Sequence, residues 1–360
     1  MASTDTVRFL KRGLEIFAVI SVLAVVTLLV YTGTWSSTVN AFLRVDPLWM
    51  AVGLGIASLD WFGGGIRIWV LARHVWPKTP FWGMVVAGGL SAWGSYLTPA
   101  QAGGGPMMIY TMRHYGVPMP ETLTSSLMDF LATVVFFAVA GPLAIVLGAG
   151  SSLAGHGIPY TNISLYDIFK ASAGMWVGIG LLVLFAVVFP GLARRILHAA
   201  VEWLGRHHGG KVAVQVEKLR AGIDRTHDCT VAFFRGTGWI AMALGVLTSA
   251  LAHATKFLSG YVALRALGLH ADFVDVLILQ TTIAFLLYFA PTPGSSGAAE
   301  ALSAALMSVY VPESYLAAYT ILWRFLMSYA TVIVGTFVFY RLLHGRLDEA
   351  AGVVEGAAAG

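Results

Sequence analysis

Charged residues are scarce in this sequence of 360 residues. Asp, Glu, Lys and Arg together make up 11% of the chain, whereas soluble domains usually contain about 25%. Hydrophobic residues make up 58%, and apolar runs long enough to cross a bilayer as helices of about 20 residues recur along the chain. The composition excludes an ordinary soluble protein and predicts an all-α polytopic membrane protein.

Residues and motifs that support disulfide, metal or nucleotide chemistry are lacking as well. The single cysteine, Cys229, excludes an intramolecular disulfide and a CxxC cluster. No HExxH motif occurs, and no GK[ST] follows the glycine-rich stretches. We therefore expect no metal, no cofactor, no catalytic residue and no ATP-driven step. The formal charge of +4 is explained by membrane topology and anionic lipid, so we expect no nucleic-acid partner.

Two of the apolar segments are interrupted. The segments cover residues 13–33, 48–71, 80–98, 121–148, 170–190, 238–267, 273–290 and 314–342. The third runs into YLTPAQAGGGP (96–106) and the seventh into YFAPTPGSSG (288–297), and a short apolar piece follows each. Proline removes a helix donor and glycine permits left-handed turns, so each helix is expected to break there. Irregular backbone at membrane depth is tolerated where it is buried in protein or lines a wet cavity.

The distribution of basic residues predicts the topology. Of 22 Lys and Arg residues, eight lie in the long polar connection 191–236, which the positive-inside rule places in the cytoplasm. If segment 80–98 crossed the membrane alone, this connection would face outward. Treating 80–112 and 273–310 as re-entrant helical hairpins removes the conflict. The prediction is then about six full spans and two hairpins, with both termini in the cytoplasm.

The two interrupted segments also resemble each other in sequence. Tyr96-Leu-Thr-Pro99 matches Tyr288-Phe-Ala-Pro291, and the matches continue to Phe130 and Phe325 with offsets of 192 to 195 residues. The alternative is that the two segments are unrelated helix kinks whose residues follow a similar order by coincidence. Because the hairpins enter from opposite sides, we predict an inverted-topology repeat, an architecture in which substrate sites lie where the repeats meet. The single transmembrane domain (1–360) would comprise repeat 1 at about 48–148, the amphipathic connection 191–236, and repeat 2 at about 238–343.

Ionisable residues inside spans are candidates for function, because hydrocarbon disfavours charge. They are Asp60, Arg67, Asp129, His253, Lys256, Glu300 and Arg324. Asp129 and Arg324 occupy corresponding spans, so we expect them to neutralise each other or to act in gating. Lys256 lies three residues from His253 on one predicted helical face and can face a lipid phosphate, Glu300 or another buried carboxylate. Asp60 and Arg67 share a face two turns apart; the structural alternative is that Asp60 pairs with another span while Arg67 reaches the cytoplasmic interface.

Glu300 and the glycine clusters combine a carboxylate with exposed backbone donors. Glu300 follows the second break in the first turn of a returning half-helix, where the helix dipole favours a carboxylate. It is expected either to cap this helix or to bind a cation, a substrate ammonium or a proton. Gly103-Gly104-Gly105 and Gly294 to Gly297 are expected to present backbone N–H groups that attract anions, including phosphate.

The segments TPAQAGGGP (98–106) and PTPGSSGAAE (291–300), with the later Arg324, resemble the transmembrane domain of lysylphosphatidylglycerol synthases and the related stand-alone flippase-like membrane proteins. The similarity extends over nearly the whole chain in segment order. It implies a protein that moves lipids between leaflets with paired re-entrant helices around a cavity. Carried over by motif, the implied substrate-binding residues are Pro99, Gly103, Gly104, Gly105, Pro291, Pro293, Gly294, Gly297, Glu300 and Arg324. Lipid aminoacylation is not inferred, since the 360 residues include no aminoacyl-transferase domain.

The sequence thus favours a lipid translocase in the cytoplasmic (inner) membrane of a prokaryote. Its membrane lipid substrate would be anionic, aminoacylated or a polyprenyl phosphate. A membrane-embedded enzyme that modifies lipid headgroups, with Glu300 or Asp129 as acid or base, and a small-solute secondary transporter are the alternatives. Coupling to a proton or another cation and assembly into a homo-oligomer stay open.

Overall fold

A computed structural model describes residues 4–146, 164–208, 213–288 and 290–343, and these are predominantly helical. The helices of the first half are α1 (Thr4–Thr32), α2 (Trp35–Leu43), α3 (Pro47–Ala57), α4 (Leu59–Val75), α5 (Phe81–Tyr96), α6 (Gly104–His114) and α7 (Met119–Val146). Those of the second half are α8 (Leu165–Val188), α9 (Pro190–His208), α10 (Ala213–Phe233), α11 (Gly238–Ala252), α12 (Ala254–Ala266), α13 (Phe273–Leu287), α14 (Ala298–Met307) and α15 (Glu313–Arg324). After α15 comes a π-helical turn, Phe325–Tyr329, and the helix then continues to Leu343.

Helices long and apolar enough to span a membrane confirm the prediction of an all-α, multi-pass membrane protein. Among the described residues they cover Arg12–Val30, Met119–Val146, Tyr166–Val188, Gly238–Ala266 and Glu313–Leu343. A sixth candidate is the pair Trp35–Leu43 and Pro47–Val75, which is bent by 90°. Leucines such as Leu182 and Leu247 are each 71% exposed on these helices, as expected for side chains that face lipid.

Both interrupted segments contain two helices separated by a break. In the first, α5 ends at Tyr96 and α6 begins at Gly104. In the second, α13 ends at Leu287 and α14 begins at Ala298. The helices therefore stop at the proline- and glycine-rich sequences where the missing donors and flexible backbone predict a stop.

The chain forms two compact units. The first unit consists of Met1–Phe62, Val86–Met108 and Ala254–Gly360, and it contains both helix breaks. The second consists of Gly63–Val85 and Ile109–His253, including the helices of the predicted cytoplasmic connection, of which residues 209–212 lie outside the described part of the chain.

Helices of the second unit pack closely because small residues face their neighbours. A methyl group on Gly63 of α4 would meet the Leu251 carbonyl of α11 at 2.5 Å. The unit also has an apolar core, formed by Leu71, Met128, Leu131, Ala132, Phe233, Ala241 and Met242. These contacts hold α4, α7 and α11 together and position the charged residues that these helices carry.

Candidate functional site

The two helix breaks of the first unit have the same local conformation. Each contains a short 3₁₀ turn, Pro99–Gln101 in the first break and Pro293–Ser295 in the second. In each turn the two residues after proline have positive φ, with values of 48° and 57° in the first turn and 57° and 56° in the second. Only Gly294 of these four residues is a glycine, so the other three, Ala100, Gln101 and Ser295, hold a conformation that side chains disfavour.

The breaks meet each other inside the first unit. The backbone N–H of Ala100 donates to the carbonyl oxygen of Ala290 at 3.1 Å. Gly294 packs against the carbonyl oxygen of Tyr96, and a side chain at this position would collide with it. Pro99 and Pro291 are exposed, whereas Gly294, Ser295 and Ser296 are buried. Two stretches of irregular backbone thus support each other at a point where the unit is otherwise helical.

A buried ion pair lies beside the second break. The Arg324 Nε donates to Oε1 of Glu300 at 2.9 Å, and the two side chains are 0% and 2% exposed. The Arg324 Nη2 also donates to the Gly294 carbonyl oxygen at 3.3 Å. The other carboxylate oxygen of Glu300 accepts the backbone N–H of Gly297 at 2.7 Å, which caps α14. Glu300 therefore joins the start of α14 to α15, and Arg324 joins α15 to the break itself.

One donor of this guanidinium is not used. The Nη1 of Arg324 is buried and has no hydrogen-bond partner among the residues that the structure describes. The rings of Phe17 and Tyr329 flank the guanidinium, with centroids 5.7 and 5.4 Å from its central carbon. Because arginine has five N–H donors in a planar fork, a buried unused nitrogen is a position at which an anionic oxygen would be stabilised.

Lys256 lies at the first break. Its Nζ donates to the Tyr288 hydroxyl at 3.1 Å and to Oε1 of Gln101 at 3.4 Å. A cavity of about 10 Å³ is lined by Lys256, Gln101, Tyr96, Gly294 and other residues of the two breaks. This volume accommodates about one water molecule. In the described conformation the breaks are therefore closed around a very small space.

Asp60 connects three helices of the first unit. Its Oδ2 accepts the Tyr96 hydroxyl at 3.1 Å and the Thr331 hydroxyl at 2.9 Å, and the residue is 4% exposed. Tyr96 is the last residue of α5 before the break. Asp60 thus contacts other helices through two hydroxyls, and the bond from Tyr96 ties the end of α5 to α4.

The second unit contains its own buried ion pair. The Arg67 Nε and Nη2 donate to the two carboxylate oxygens of Asp129 at 2.6 and 2.8 Å. The Arg67 Nη1 donates to the Thr133 hydroxyl at 2.9 Å and lies 3.2 Å from Nε2 of His253. Since a guanidinium only donates, this histidine nitrogen accepts and the neutral ring carries its proton on Nδ1. The cluster links α4, α7 and the end of α11.

Several charged residues have other partners than the sequence predicted. Asp129 pairs with Arg67 and not with Arg324, whose partner is Glu300. Arg67 is accordingly a buried member of an ion pair. His253 lies at the junction between α11, which ends at Ala252, and α12, which begins at Ala254 and carries Lys256. Lys256 contacts Tyr288 and Gln101, and not Glu300.

The glycine clusters differ from the expected anion-binding nests. The N–H of Gly103 donates to the Thr98 hydroxyl at 2.7 Å, and that of Gly297 donates to Glu300. Gly104 and Gly105 form the first turn of α6. The N–H groups of Ser295 and Ser296 donate to the carbonyl oxygens of Thr292 and Pro293. Four of the expected donors are therefore occupied by the protein's own oxygens. No group of three or more His, Cys, Asp or Glu residues arranged to hold a metal occurs in the described ranges.

Sequence reasoning did not identify the polar residues that complete the site. These are Gln101, Tyr96, Tyr288, Ser296 and Tyr329, of which Tyr329 donates to Oε1 of Glu300 at 3.3 Å. Tyr96 and Tyr288 stand at equivalent places three residues before Pro99 and Pro291. This repetition was a signal that could have identified the two tyrosines as site residues.

Comparison with known proteins agrees with this architecture. The family model described as the lysylphosphatidylglycerol synthase TM region matches residues 16–335. A protein called UPF0104 membrane protein, from Archaeoglobus fulgidus, is 22% identical over 306 residues, which are 84% of this chain and 88% of the relative. Because the family match covers most of the chain, including both helix breaks and both buried ion pairs, this protein belongs to the lysylphosphatidylglycerol synthase transmembrane region family.

Proposed function

We propose that this protein is a lipid translocase that moves an anionic, aminoacylated or polyprenyl-phosphate lipid between leaflets without ATP. The observation that carries the proposal is the meeting of two helix breaks beside the buried pair Glu300–Arg324. A lipid translocase must provide a polar route for a headgroup through an apolar layer. Irregular backbone and buried charges are costly in a membrane and are usually found where such a route exists.

The strained backbone of the breaks supports a role in movement. Three residues other than glycine hold positive φ in the two turns. Each such residue costs on the order of 1–3 kcal/mol, and such strain clusters at functional sites. A segment with strained backbone is suited to adopt a second conformation. The cavity of about 10 Å³ between the breaks is too small for a headgroup, so we propose that it opens during transport.

Arg324 is the proposed phosphate-binding residue. A guanidinium can hold a phosphate by two parallel hydrogen bonds, whereas an ammonium is a single point charge. In the closed conformation Glu300 holds the Arg324 Nε, and Nη1 is without a partner among the described residues. A lipid phosphate would compete with Glu300 for the guanidinium. Lys256 would add a second positive charge at the breaks, and release of Glu300 would free it to take up a proton or bind a headgroup ammonium.

The membrane arrangement is part of the same proposal. We propose that 80–112 and 273–310 are re-entrant hairpins of an inverted repeat, with both termini in the cytoplasm of a prokaryotic cell. The positive charges of 191–236 support this topology.

In a Cys229→Ser background, Arg225→Cys should react with a membrane-impermeant maleimide only from the cytoplasmic side and His270→Cys only from the outer side. Reaction of both from one side contradicts the topology.

Translocation can be measured in vesicles that contain the purified protein and a fluorescent phospholipid. Dithionite destroys the fluorophore in the outer leaflet, so further loss of signal reports movement from the inner leaflet. Glu300→Gln and Arg324→Lys should each slow this movement, while Glu313→Gln, which changes an exposed carboxylate at the start of α15, should not. Equal rates in all four proteins would refute the roles of Glu300 and Arg324. Equal rates in vesicles with and without wild-type protein would refute lipid translocation for this probe.

The other function classes give different results with the same vesicles. A headgroup-modifying enzyme changes the mass of the lipid, which mass spectrometry of the extracted lipid detects. A solute carrier takes up a soluble compound and leaves the distribution of lipid unchanged.

A further inference from the structure

Two adjoining cavities lie in the second unit, outside the residues assigned to translocation. The apolar cavity has a volume of about 390 Å³ and is lined by α7, α8, α9 and α10 through residues that include Leu127, Leu131, Val183, Val187, Leu197 and Ile223. The polar cavity, of about 480 Å³, is lined by Arg194, Arg195, His198, Glu202 and His227 among others. Arg194 and His227 line both. Ligand sites usually have volumes of roughly 300–1,000 Å³, so each cavity is large enough for part of a ligand.

The polar cavity offers donors to an anion. His198 and Arg194 both contact Asp224, at 2.9 and 2.7 Å. The hydrogen bond from His198 and the charge of Arg194 hold the pKa of this carboxyl below its usual value. Arg195 is exposed and lines the cavity. The Nδ1 of His227 is buried and has no hydrogen-bond partner among the residues that the structure describes. Arg194 and His227 line both cavities, so an arginine and a histidine lie next to the apolar cavity.

These cavities lie where a candidate membrane span is followed by the helices of the polar connection. One residue, Phe189, separates the end of the candidate span Tyr166–Val188 from the start of α9 at Pro190. Leu192 and Ile196 lie one turn apart on α9 and are 48% and 51% exposed, whereas the neighbouring Arg194 and Arg195 line the polar cavity. A helix with exposed leucines beside arginines is typical of one that lies in the membrane interface.

We propose that these cavities form a binding site for one anionic phospholipid, with an acyl chain in the apolar cavity and the phosphodiester at Arg195, Arg194 and His227. The apolar part of the site excludes a free phosphate or nucleotide as the main ligand. The arginines favour an anionic headgroup over a zwitterionic one. This lipid is retained and not transported, because the site uses a different set of residues from Glu300 and Arg324.

The test uses the full-length protein in detergent and native mass spectrometry. Dioleoyl phosphatidylglycerol is titrated, and dioleoyl phosphatidylcholine serves as the comparison with identical chains. Wild type should bind one phosphatidylglycerol more tightly than phosphatidylcholine. Arg195→Gln should weaken phosphatidylglycerol binding about fivefold, the factor that corresponds to about 1 kcal/mol for one arginine at an anionic surface. The matched control is Arg225→Gln, which removes an exposed arginine of α10 that lines neither cavity.

A second pair of variants tests the acyl-chain cavity. Val187→Trp would fill the apolar cavity and should abolish the preferred site, while Leu184→Trp, at a side chain 53% exposed on the same helix, should retain it. If Val187→Trp does not yield folded protein, Val187→Phe replaces it. Equal affinity in Arg195→Gln and Arg225→Gln, or equal affinity of wild type for the two lipids, overturns the proposal. The difference between the arginine variants should persist in a Glu300→Gln background; its loss there would assign the bound lipid to the translocation site.

Discussion

Arg324→Met should destabilise the first unit strongly, because it leaves the Glu300 carboxylate without its cation. Glu300 is 2% exposed and, among the residues that the structure describes, keeps the Gly297 N–H and the Tyr329 hydroxyl as hydrogen-bond partners. Removing one member of a buried pair typically costs about 3–5 kcal/mol, since a buried charge is left uncompensated. Loss of the contacts to the Phe17 and Tyr329 rings adds to this cost.

The size of the effect should depend on the charge at position 300. A buried ion pair replaced as a whole by uncharged residues is often close to neutral in stability, because both desolvation costs disappear together. In the double variant Glu300→Gln/Arg324→Met, the glutamine oxygen can still accept the Gly297 N–H that caps α14. The double variant should therefore be more stable than Arg324→Met alone, with a coupling energy of roughly 0.5–3 kcal/mol.

The stabilities of wild type, the two single variants and the double variant form a double-mutant cycle. Thermal unfolding in detergent, followed by tryptophan fluorescence, measures each of these stabilities. Melting shifts by roughly 2–4 °C per kcal/mol for units of 150–250 residues, so Arg324→Met should melt at least about 6 °C below wild type. Arg341→Met, which removes an exposed arginine of the same long helix, should change stability by no more than about 0.5 kcal/mol. A double variant that melts at or below the Arg324→Met single variant would refute the reasoning, because the cost could not then come from an uncompensated carboxylate.

Two further predictions concern the second unit, and both are checked by the same melting measurement. Asp129→Asn leaves the buried Arg67 guanidinium without its carboxylate and should cost about 3–5 kcal/mol; a change below about 1 kcal/mol would show that water or another group compensates the arginine. Gly63→Ala would place a methyl group 2.5 Å from the Leu251 carbonyl oxygen and should cost about 1–3 kcal/mol by overpacking. Gly55→Ala has no heavy atom within 4 Å of the added carbon and should stabilise its helix by up to about 1 kcal/mol. The same sign of change in both glycine variants would contradict the packing argument.

Hydropathy and helix-breaking residues were sufficient to predict the long apolar helices and the two breaks, but they did not predict α2 or the interruptions at Ser58 and His253. Long apolar segments became helices because a membrane leaves the backbone no other partner than itself. The two breaks occurred where proline and glycine stand within apolar sequence. The charge count of 191–236 predicts its side of the membrane, but it carries no information on helix packing, and the cavities between α7, α8, α9 and α10 could not be predicted from it.

The pairing of buried charges could not be predicted from repeat positions. Asp129 and Arg324 stand at corresponding places in the two predicted repeats, yet Asp129 binds Arg67 and Arg324 binds Glu300. A partner is determined by how each helix is rotated about its axis and by which neighbour it packs against. In the second unit, packing of Gly63 against the backbone of α11 brings that helix close to α4, whose Arg67 bonds Asp129 on α7. The spacing of residues along the chain predicts which side chains share one face of a helix. It does not predict which neighbouring helix that face contacts.

The backbone conformation of the two breaks pairs their prolines differently from the sequence alignment. Matching tyrosines paired Pro99 with Pro291, but the backbone dihedrals pair the turn at Pro99 with the turn at Pro293. In the second turn Gly294 takes up positive φ readily, whereas in the first turn Ala100 and Gln101 carry side chains and give no sequence signal of it. Contacts from elsewhere must therefore hold the first turn in its strained form, and the hydrogen bond from Ala100 to Ala290 of the second break is one of them. A lipid headgroup that separated the breaks would remove this contact, so entry of the headgroup and relaxation of the first turn would take place together.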